Sequence, residues 1–173
     1  VMSVERKQEK KNPPLLYNLA ELQNDCSKLF KISPDETLRV VQELYEKKMV
    51  TYPRTDARVL SSAVAKEISK NISGLKGINM VRPFAEEILE KESYKQIAKT
   101  RYVNDKMITD HYAIIPTGQG LGAMRGLNPV SLKVYETIVR RFLAIFYEPA
   151  IYKKVSLTMG METERFFASF KVL

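Results

Sequence analysis

The segment Thr51–Asp56 reads Thr-Tyr-Pro-Arg-Thr-Asp and places a tyrosine two residues before an arginine. A residue that precedes proline is pushed out of the helical region, so Tyr52 is expected on extended backbone. Side chains two apart on such backbone point the same way, which predicts that Tyr52 and Arg54 share one face, roughly 7 Å apart at Cα. A phenol hydroxyl can attack phosphorus, and a guanidinium can donate two N–H groups to the charged oxygens. The pattern therefore predicts phosphodiester chemistry.

The residues before Tyr52 predict two helices that lead into a short strand. The second helix begins at Ser33-Pro34-Asp35-Glu36, with serine as N-cap, proline at the first position and glutamate at the third. Such a helix pair resembles a helix-turn-helix, and plain helical packing is the alternative. Residues 49–52 then predict a short strand. The first helix is indicated by apolar residues at helical spacing: Leu15, Leu16, Leu19, Leu22, Cys26 and Leu29.

Beyond the tyrosine motif, the chain is predicted to remain helical up to residue 149. Ser61-Ser62 begins one helix, apolar residues between positions 84 and 97 indicate another, and Asn128-Pro129 precedes the longest. The glycine-rich segment Gly118–Gly122 is expected to be a flexible connector. Four aromatic residues are expected in the core rather than as base-stacking platforms: Tyr17, Phe30, Tyr45 and Phe146.

Both ends of the chain resemble β structure. Val1–Val4 is strand-like, and a charged stretch then ends at Asn12-Pro13-Pro14. Alternation over 151–159 and the apolar stretch 166–173 predict strands at the other end. The expected fold class is mainly α with β at both ends. We expect an exiting strand and linker at 1–14, a helical domain at 15–149, and returning strands of a neighbouring β domain at 150–173. A helical domain inserted in this way can swing as a rigid body.

Composition limits the classes of function. A formal net charge of +8 over 173 residues favours a polyanionic partner, either nucleic acid or an acidic membrane surface. The single Cys26 excludes an internal disulfide, fits a reducing compartment, and is interpreted as a packing residue. No apolar run approaches the ~20 residues that span a bilayer, and the charged start does not resemble a signal peptide. We therefore expect an intracellular, soluble protein.

Two groups of motifs resemble those of a known family. Pro13–Gln23, Leu44-Tyr45-Glu46 and Val50–Asp56 resemble the gate domain of type IA DNA topoisomerases, and most of all the topoisomerase III branch. Asp110–Thr117 resembles the second signature of that family, about sixty residues after the first. The resemblance covers roughly residues 1–149. It implies a winged-helix-like gate domain with the nucleophile beside it.

The resemblance also implies roles for three residues. Tyr52 matches the nucleophile, which forms a covalent 5′-phosphotyrosine link to one cleaved strand. The reverse reaction reseals the strand, so the DNA topology changes without ATP. Arg54 matches the arginine that binds the scissile phosphate, and a surface ion pair with Asp56 is its alternative. His111 is implied to contact the scissile phosphate or a neighbouring one.

Three further basic residues flank the nucleophile. Lys47, Lys48 and Arg58 add positive charge that could follow the backbone of a single strand, and solvated surface charges are the equal alternative. DNA, preferentially single-stranded, is the expected partner of a monomeric chain. Thr55 is expected to be structural, because it faces away from its neighbour Arg54 on extended backbone. Cytoplasmic, nucleoid-associated localisation follows from this interpretation.

The chain shows no Gly-rich phosphate loop, no Cys/His zinc pattern and no compact acidic cluster, so no metal ligands are predicted in it. Type IA enzymes hold Mg²⁺ in a separate Toprim domain, to which nothing here corresponds. We therefore expect an excised fragment of a larger polypeptide that is inactive alone.

Two rival functions share some features with this chain. A tyrosine recombinase is excluded, because its tyrosine follows a His-x-x-Arg element and His111–Ile114 lacks the arginine. A non-catalytic helix-turn-helix DNA-binding module is the alternative from another class. It leaves the tyrosine motif unexplained and places Asp35 and Glu36 where base-reading residues belong.

Overall fold

The structure is a computed structural model that describes residues 9–147 and 150–152, with side chains for residues 12–147. Six α-helices and four short 3₁₀ turns together account for most of the described chain. Side-chain oxygens of Asn18, Ser33, Ser61 and Asn128 cap four of the helices by accepting a backbone N–H three residues on, at 2.8–3.2 Å. The helices are α1 (Leu19–Phe30), α2 (Pro34–Glu46), α3 (Ser62–Lys66), α4 (Ile68–Gly74), α5 (Arg82–Lys91) and α6 (Pro129–Ala144). Short 3₁₀ turns cover Leu75–Gly77, Ser93–Lys99, Asp105–Met107 and Leu121–Gly126.

The first helix begins later than its apolar spacing predicts. It starts at Leu19 rather than near Leu15, because the residues before it pair with other segments. Leu16 donates its backbone N–H to the Arg58 carbonyl at 3.1 Å, and Tyr17 forms an antiparallel bridge with Ile114. This pairing replaces the predicted first turn of helix with extended backbone.

The hydrophobic core lies where α1, α2 and α6 pack against one another, and it continues to α4 and α5. Cys26 is fully buried on α1, as the sequence predicted for a packing residue. Tyr17 and Phe146 are buried as predicted, and Phe30 packs partly buried against the core. Tyr45 is 38 % exposed, so its predicted core position is wrong.

The two ends of the helical region meet in a two-stranded sheet. Strand β1 (Glu9–Lys11) pairs antiparallel with β2 (Ala150–Tyr152), with Lys10 opposite Ile151. Strand β2 falls in the predicted returning strand, whereas β1 falls in the stretch interpreted as a charged linker. The strands predicted at 1–4, 153–159 and 166–173 lie outside the described residues. The neighbouring β domain and the domain limits remain predictions.

Helices α1 and α2 pack side by side across a tight connection at residues 31–33, where Lys31 has left-handed backbone with φ 59°. This is the helix pair whose sequence resembles a helix-turn-helix. The winged-helix-like arrangement of the gate domain remains a prediction. None of the helices in the described part of the chain is long and apolar enough to cross a membrane.

Candidate active site

An extended segment at residues 111–117 lies at the centre of the site. On one side it pairs with residues 49–51, through Thr117 N–H to the Met49 carbonyl and Thr51 N–H to the Ile115 carbonyl, both at 3.0 Å. On its other side, Ile114 N–H donates to the Tyr17 carbonyl at 2.8 Å. The two motifs that are about sixty residues apart in sequence are therefore neighbours in the fold.

Three rings meet where these segments face each other. The Tyr52 and His111 rings have centroids 4.3 Å apart and an interplanar angle of 33°. The edge of Tyr45 meets Tyr52 at 5.4 Å and 81°. Tyr52 is half-buried and His111 is exposed, so solvent reaches the pair. A phenol that is held between two rings has restricted orientation, and the imidazole beside it can exchange a proton or donate to a phosphate.

Arg54 lies in a bend rather than on a strand. Thr55 N–H donates to the Pro53 carbonyl at 2.9 Å, which encloses Arg54 in a three-residue turn. The extended backbone from which a shared face with Tyr52 was predicted therefore ends at Pro53. The Arg54 side chain is exposed and makes no ion pair or hydrogen bond with any residue between 12 and 147, Asp56 included. Its guanidinium is available to an anion.

The three flanking basic residues have different surroundings. Arg58 donates to the carbonyls of Leu16 at 3.1 Å and Leu15 at 3.4 Å, and its guanidinium lies 3.8 Å from the Glu21 carboxylate. Two of its nitrogens thus donate to backbone carbonyls of the protein, which is a scaffolding arrangement. Lys47 and Lys48 directly follow the end of α2, and within the described residues neither donates a side-chain hydrogen bond to a backbone carbonyl as Arg58 does.

Lys47 approaches Glu43 at 3.7 Å, with 35 % of its side chain exposed. Lys48 is exposed and has left-handed backbone with φ 65°. These two lysines remain the flanking positive charges that solvent and an anion can reach.

The first part of the glycine-rich segment packs against the Lys47–Lys48 turn and against α4. An added Cβ on Gly120 would lie 2.4 Å from the Lys47 carbonyl oxygen, and one on Gly118 would lie 2.7 Å from the Asn71 carbonyl oxygen. Both glycines have left-handed backbone, with φ 72° and 81°. Close backbone packing therefore holds Gly118 and Gly120, which is not expected of a flexible connector, whereas no atom of the described residues lies within 4 Å of a Cβ added at Gly122.

A charged network fixes the segment on the far side of the central strand. The Tyr17 hydroxyl donates to Asp25 Oδ2 at 2.6 Å, and Arg141 donates to the same oxygen at 2.9 Å. Arg141 also donates to the Leu15 carbonyl at 2.7 Å and stacks 4.1 Å from the Tyr17 ring centroid. Burial raises the pKa of Tyr17, and the Arg141 cation opposes this shift. The network joins α1 and α6 to residues 15–17.

Sequence reasoning missed Tyr45. The residue follows Leu44, which is fully buried, by one position on α2, and a step of about 100° places it at the edge of the apolar stripe. The turn after α2 then brings Tyr52 back onto its ring. Tyr112, next to the histidine, is half-buried against the core, and burial raises its pKa.

Across the residues that the structure describes, no group of three or more His, Cys, Asp or Glu side chains could hold a metal ion. Two acidic side chains lie near the flanking cations: Glu43 approaches Lys47, and Glu21 approaches Arg58. The described site therefore contains a phenol, an imidazole, two cations with acidic partners (Lys47 and Arg58), and the exposed Arg54 and Lys48.

Comparisons with known proteins agree on one family. A family model described as DNA topoisomerase matches residues 1–173. The chain is 36% identical over 174 residues to the curated "DNA topoisomerase 3" of Bacillus cereus (strain ATCC 10987), and equally identical to those of Bacillus anthracis and Bacillus subtilis (strain 168). The alignments cover 100% of this chain and 23% of each relative, so the chain spans about a quarter of the relatives' length. Among solved structures, full-length topoisomerase I from Thermotoga maritima matches with a TM-score of 0.52 and 24% identity, over 83% of this chain and 22% of that one. That likeness concerns the fold.

Proposed function

Because this chain belongs to the DNA topoisomerase family, we propose that it forms the strand-cleaving gate domain of a type IA enzyme, with Tyr52 as the nucleophile. The observation that carries the proposal is the contact of the Tyr52 and His111 rings, and the exposed Arg54 follows Tyr52 by two residues in the chain. The resemblance to the topoisomerase III branch, drawn from the motifs, is confirmed by the relatives.

The proposed reaction is an exchange of phosphodiester bonds. The Tyr52 hydroxyl oxygen attacks phosphorus, a bond forms from tyrosine to the 5′-phosphate, and the bond to the 3′ oxygen breaks. The phenol gives up its proton, and the departing 3′ oxygen gains one. The number of phosphodiester bonds is conserved, so a second strand can pass and the reverse step can reseal the break without ATP.

Two residues support this exchange. Arg54 binds the scissile phosphate and stabilises the charge that develops on its oxygens in the transition state, an effect worth about 10²–10³-fold in rate for one such donor. His111 lies beside the phenol, where it can accept or return the proton or donate to a phosphate oxygen. Lys47 and Lys48 attract the strand electrostatically.

The rest of the proposal concerns the longer polypeptide. Mg²⁺, held by a Toprim domain outside this chain, would complete the cleavage site. The preferred partner is single-stranded DNA, bound by one copy of the winged-helix-like gate domain, in the cytoplasm at the nucleoid. The alternative of a non-catalytic helix-turn-helix module gains no support from α2, whose first turn carries Asp35 and Glu36.

Covalent trapping tests the proposal. The longer polypeptide that carries this domain is incubated with Mg²⁺ and a labelled single-stranded oligonucleotide, then denatured and separated on a gel. We expect a protein-linked labelled band that Tyr52→Phe abolishes and Tyr45→Phe retains. Tyr45 is the matched control because it contacts the same ring. A band that persists in Tyr52→Phe contradicts the assignment.

A further inference from the structure

Two threonines enclose the tyrosine motif, and each hydroxyl makes two hydrogen bonds. Thr51 Oγ1 donates to the Ala113 carbonyl at 3.0 Å and accepts from Ile115 N–H at 2.9 Å. Thr55 Oγ1 donates to the His111 carbonyl at 3.2 Å and accepts from Ala57 N–H at 3.1 Å. Both threonines therefore bond the segment that carries His111.

The Thr51 hydroxyl ends the regular strand pairing just before Tyr52. In an antiparallel ladder, every second pair of opposed residues exchanges both backbone hydrogen bonds, and Thr51 and Ile115 occupy such a position next to the Val50–Pro116 bridge. Thr51 donates its N–H to the Ile115 carbonyl at 3.0 Å, but Ile115 returns its N–H to the Thr51 hydroxyl instead of the Thr51 carbonyl. The chain is thus released from the ladder at Tyr52 and can bend at Pro53.

The Thr55 hydroxyl reattaches the chain on the other side of the bend. Thr55 is 7 % exposed, and its backbone N–H closes the turn around Arg54 through the Pro53 carbonyl. Residues 52–54 therefore form an arch whose two ends are fixed to Ala113–Ile115 and to His111. The backbone of His111 is held by the same hydroxyl that ends the arch.

We propose that Thr51 and Thr55 are positioning residues that hold the Tyr52 phenol at its distance from His111. The inference rests on the proposed function, because it assigns the arch a role in the attack by Tyr52. A hydroxyl both donates and accepts, which the arrangement at each end requires. The branched Cβ of threonine also restricts the first side-chain torsion, so the hydroxyl stays in place.

Valine and serine substitutions separate the hydroxyl from the shape of the side chain. Thr51→Val keeps the shape and removes both bonds, and Thr51→Ser keeps the hydroxyl. A misplacement of about 1 Å can cost on the order of 100-fold in rate. We expect Thr51→Val and Thr55→Val to slow single-turnover adduct formation by about 10- to 100-fold, with single-stranded DNA affinity within about twofold. Each serine variant should stay within about threefold of the unsubstituted protein.

Thr100 provides a matched control outside both segments. Its Oγ1 donates to the Ile97 carbonyl at 2.7 Å and accepts from Tyr102 N–H at 3.2 Å, so it has the same two kinds of bond. Thr100→Val should leave the adduct rate within about twofold. All variants are made in the longer polypeptide, and circular dichroism confirms that they are folded.

Each outcome supports or overturns the proposal. If Thr51→Val slows the reaction no more than Thr100→Val does, if DNA affinity falls as much as the rate, or if serine restores nothing, the proposal is overturned. If one valine variant fails to fold, the adduct rate of the other valine variant tests the proposal by the same criteria. Failure of both means that the role is only structural. Tyr52→Phe in the same assay separates the two claims, because an adduct in that variant contradicts the proposed function itself.

Discussion

Removal of the Asp25 carboxylate should destabilise the domain strongly. Asp25 accepts hydrogen bonds from Tyr17 at 2.6 Å and Arg141 at 2.9 Å, and the Asp25 and Arg141 side chains are only 24% and 14% exposed. Breaking a buried pair by removing one partner costs about 3–5 kcal/mol, because the other charge remains buried and unpaired. Water reaches this site partly, and Arg141 keeps its bond to the Leu15 carbonyl. We therefore expect Asp25→Ala to lower the free energy of unfolding by about 2–4 kcal/mol.

Equilibrium denaturation in urea, followed by circular dichroism of the 173-residue chain, measures this loss. Glu67→Ala is the matched control, because Glu67 pairs with Lys70 at 2.9 Å but both side chains are at least 67% exposed. Solvent and salt screen such a pair, so the urea midpoint of Glu67→Ala should equal that of the unsubstituted chain within error. If Asp25→Ala shifts the midpoint no more than Glu67→Ala, the network does not stabilise residues 15–17 as argued.

Three further predictions follow from individual contacts. Burial raises the pKa of the Cys26 thiol from 9.0 to about 12. A thiol reagent at pH 8 should therefore label Cys26 only as fast as the protein opens. Labelling at the rate of a free thiol would contradict this. Because the folded-state pKa is the higher one, the protonated thiol contributes its full stability below about pH 9 and loses it as the pH rises towards 12. Gly120→Ala should lower the free energy of unfolding, measured in urea, by about 2 kcal/mol or more, because its backbone is left-handed and the added Cβ would lie 2.4 Å from the Lys47 carbonyl oxygen. Gly122→Ala should leave this free energy unchanged, because an added Cβ there has nothing within 4 Å in the part of the chain that the structure describes. Arg54→Ala in the longer polypeptide should lower the cleavage rate by about 10²–10³-fold with little change in filter-binding affinity, and Arg54→Lys should recover little of it; equal losses of rate and affinity would indicate a simple docking contact.

Local signals in the sequence predicted several elements correctly. The caps at Ser33, Ser61 and Asn128 begin helices as expected, because a side-chain oxygen that bonds the third residue's N–H is a local interaction. The family resemblance implied that Tyr52 attacks the scissile phosphate and that His111 contacts it or a neighbouring one. The structure places Tyr52 against His111, and their proposed roles await test.

Other features depend on contacts between distant residues and could not be predicted from local pattern. Leu15 has helical spacing, but its segment is held extended by Arg58 and Arg141. The turn at Arg54 depends on Thr55, whose hydroxyl bonds the backbone of His111. The shared face predicted for Tyr52 and Arg54 assumes a continuous strand. No local signal in the sequence marks that the Thr51 hydroxyl interrupts the strand pairing just before Tyr52.

The position of the covalent link tests the central claim most directly. The adduct of the longer polypeptide is digested with nuclease and then with trypsin, and the peptides are sequenced by mass spectrometry. Cleavage after Lys48 and Arg54 gives the peptide 49–54, in which Tyr52 is the one tyrosine, while Tyr45 falls in the separate peptide 40–47. We expect a nucleotide joined through its 5′-phosphate to Tyr52 on peptide 49–54. A nucleotide on peptide 40–47 or elsewhere, or no modified peptide from a trapped adduct, would contradict the account.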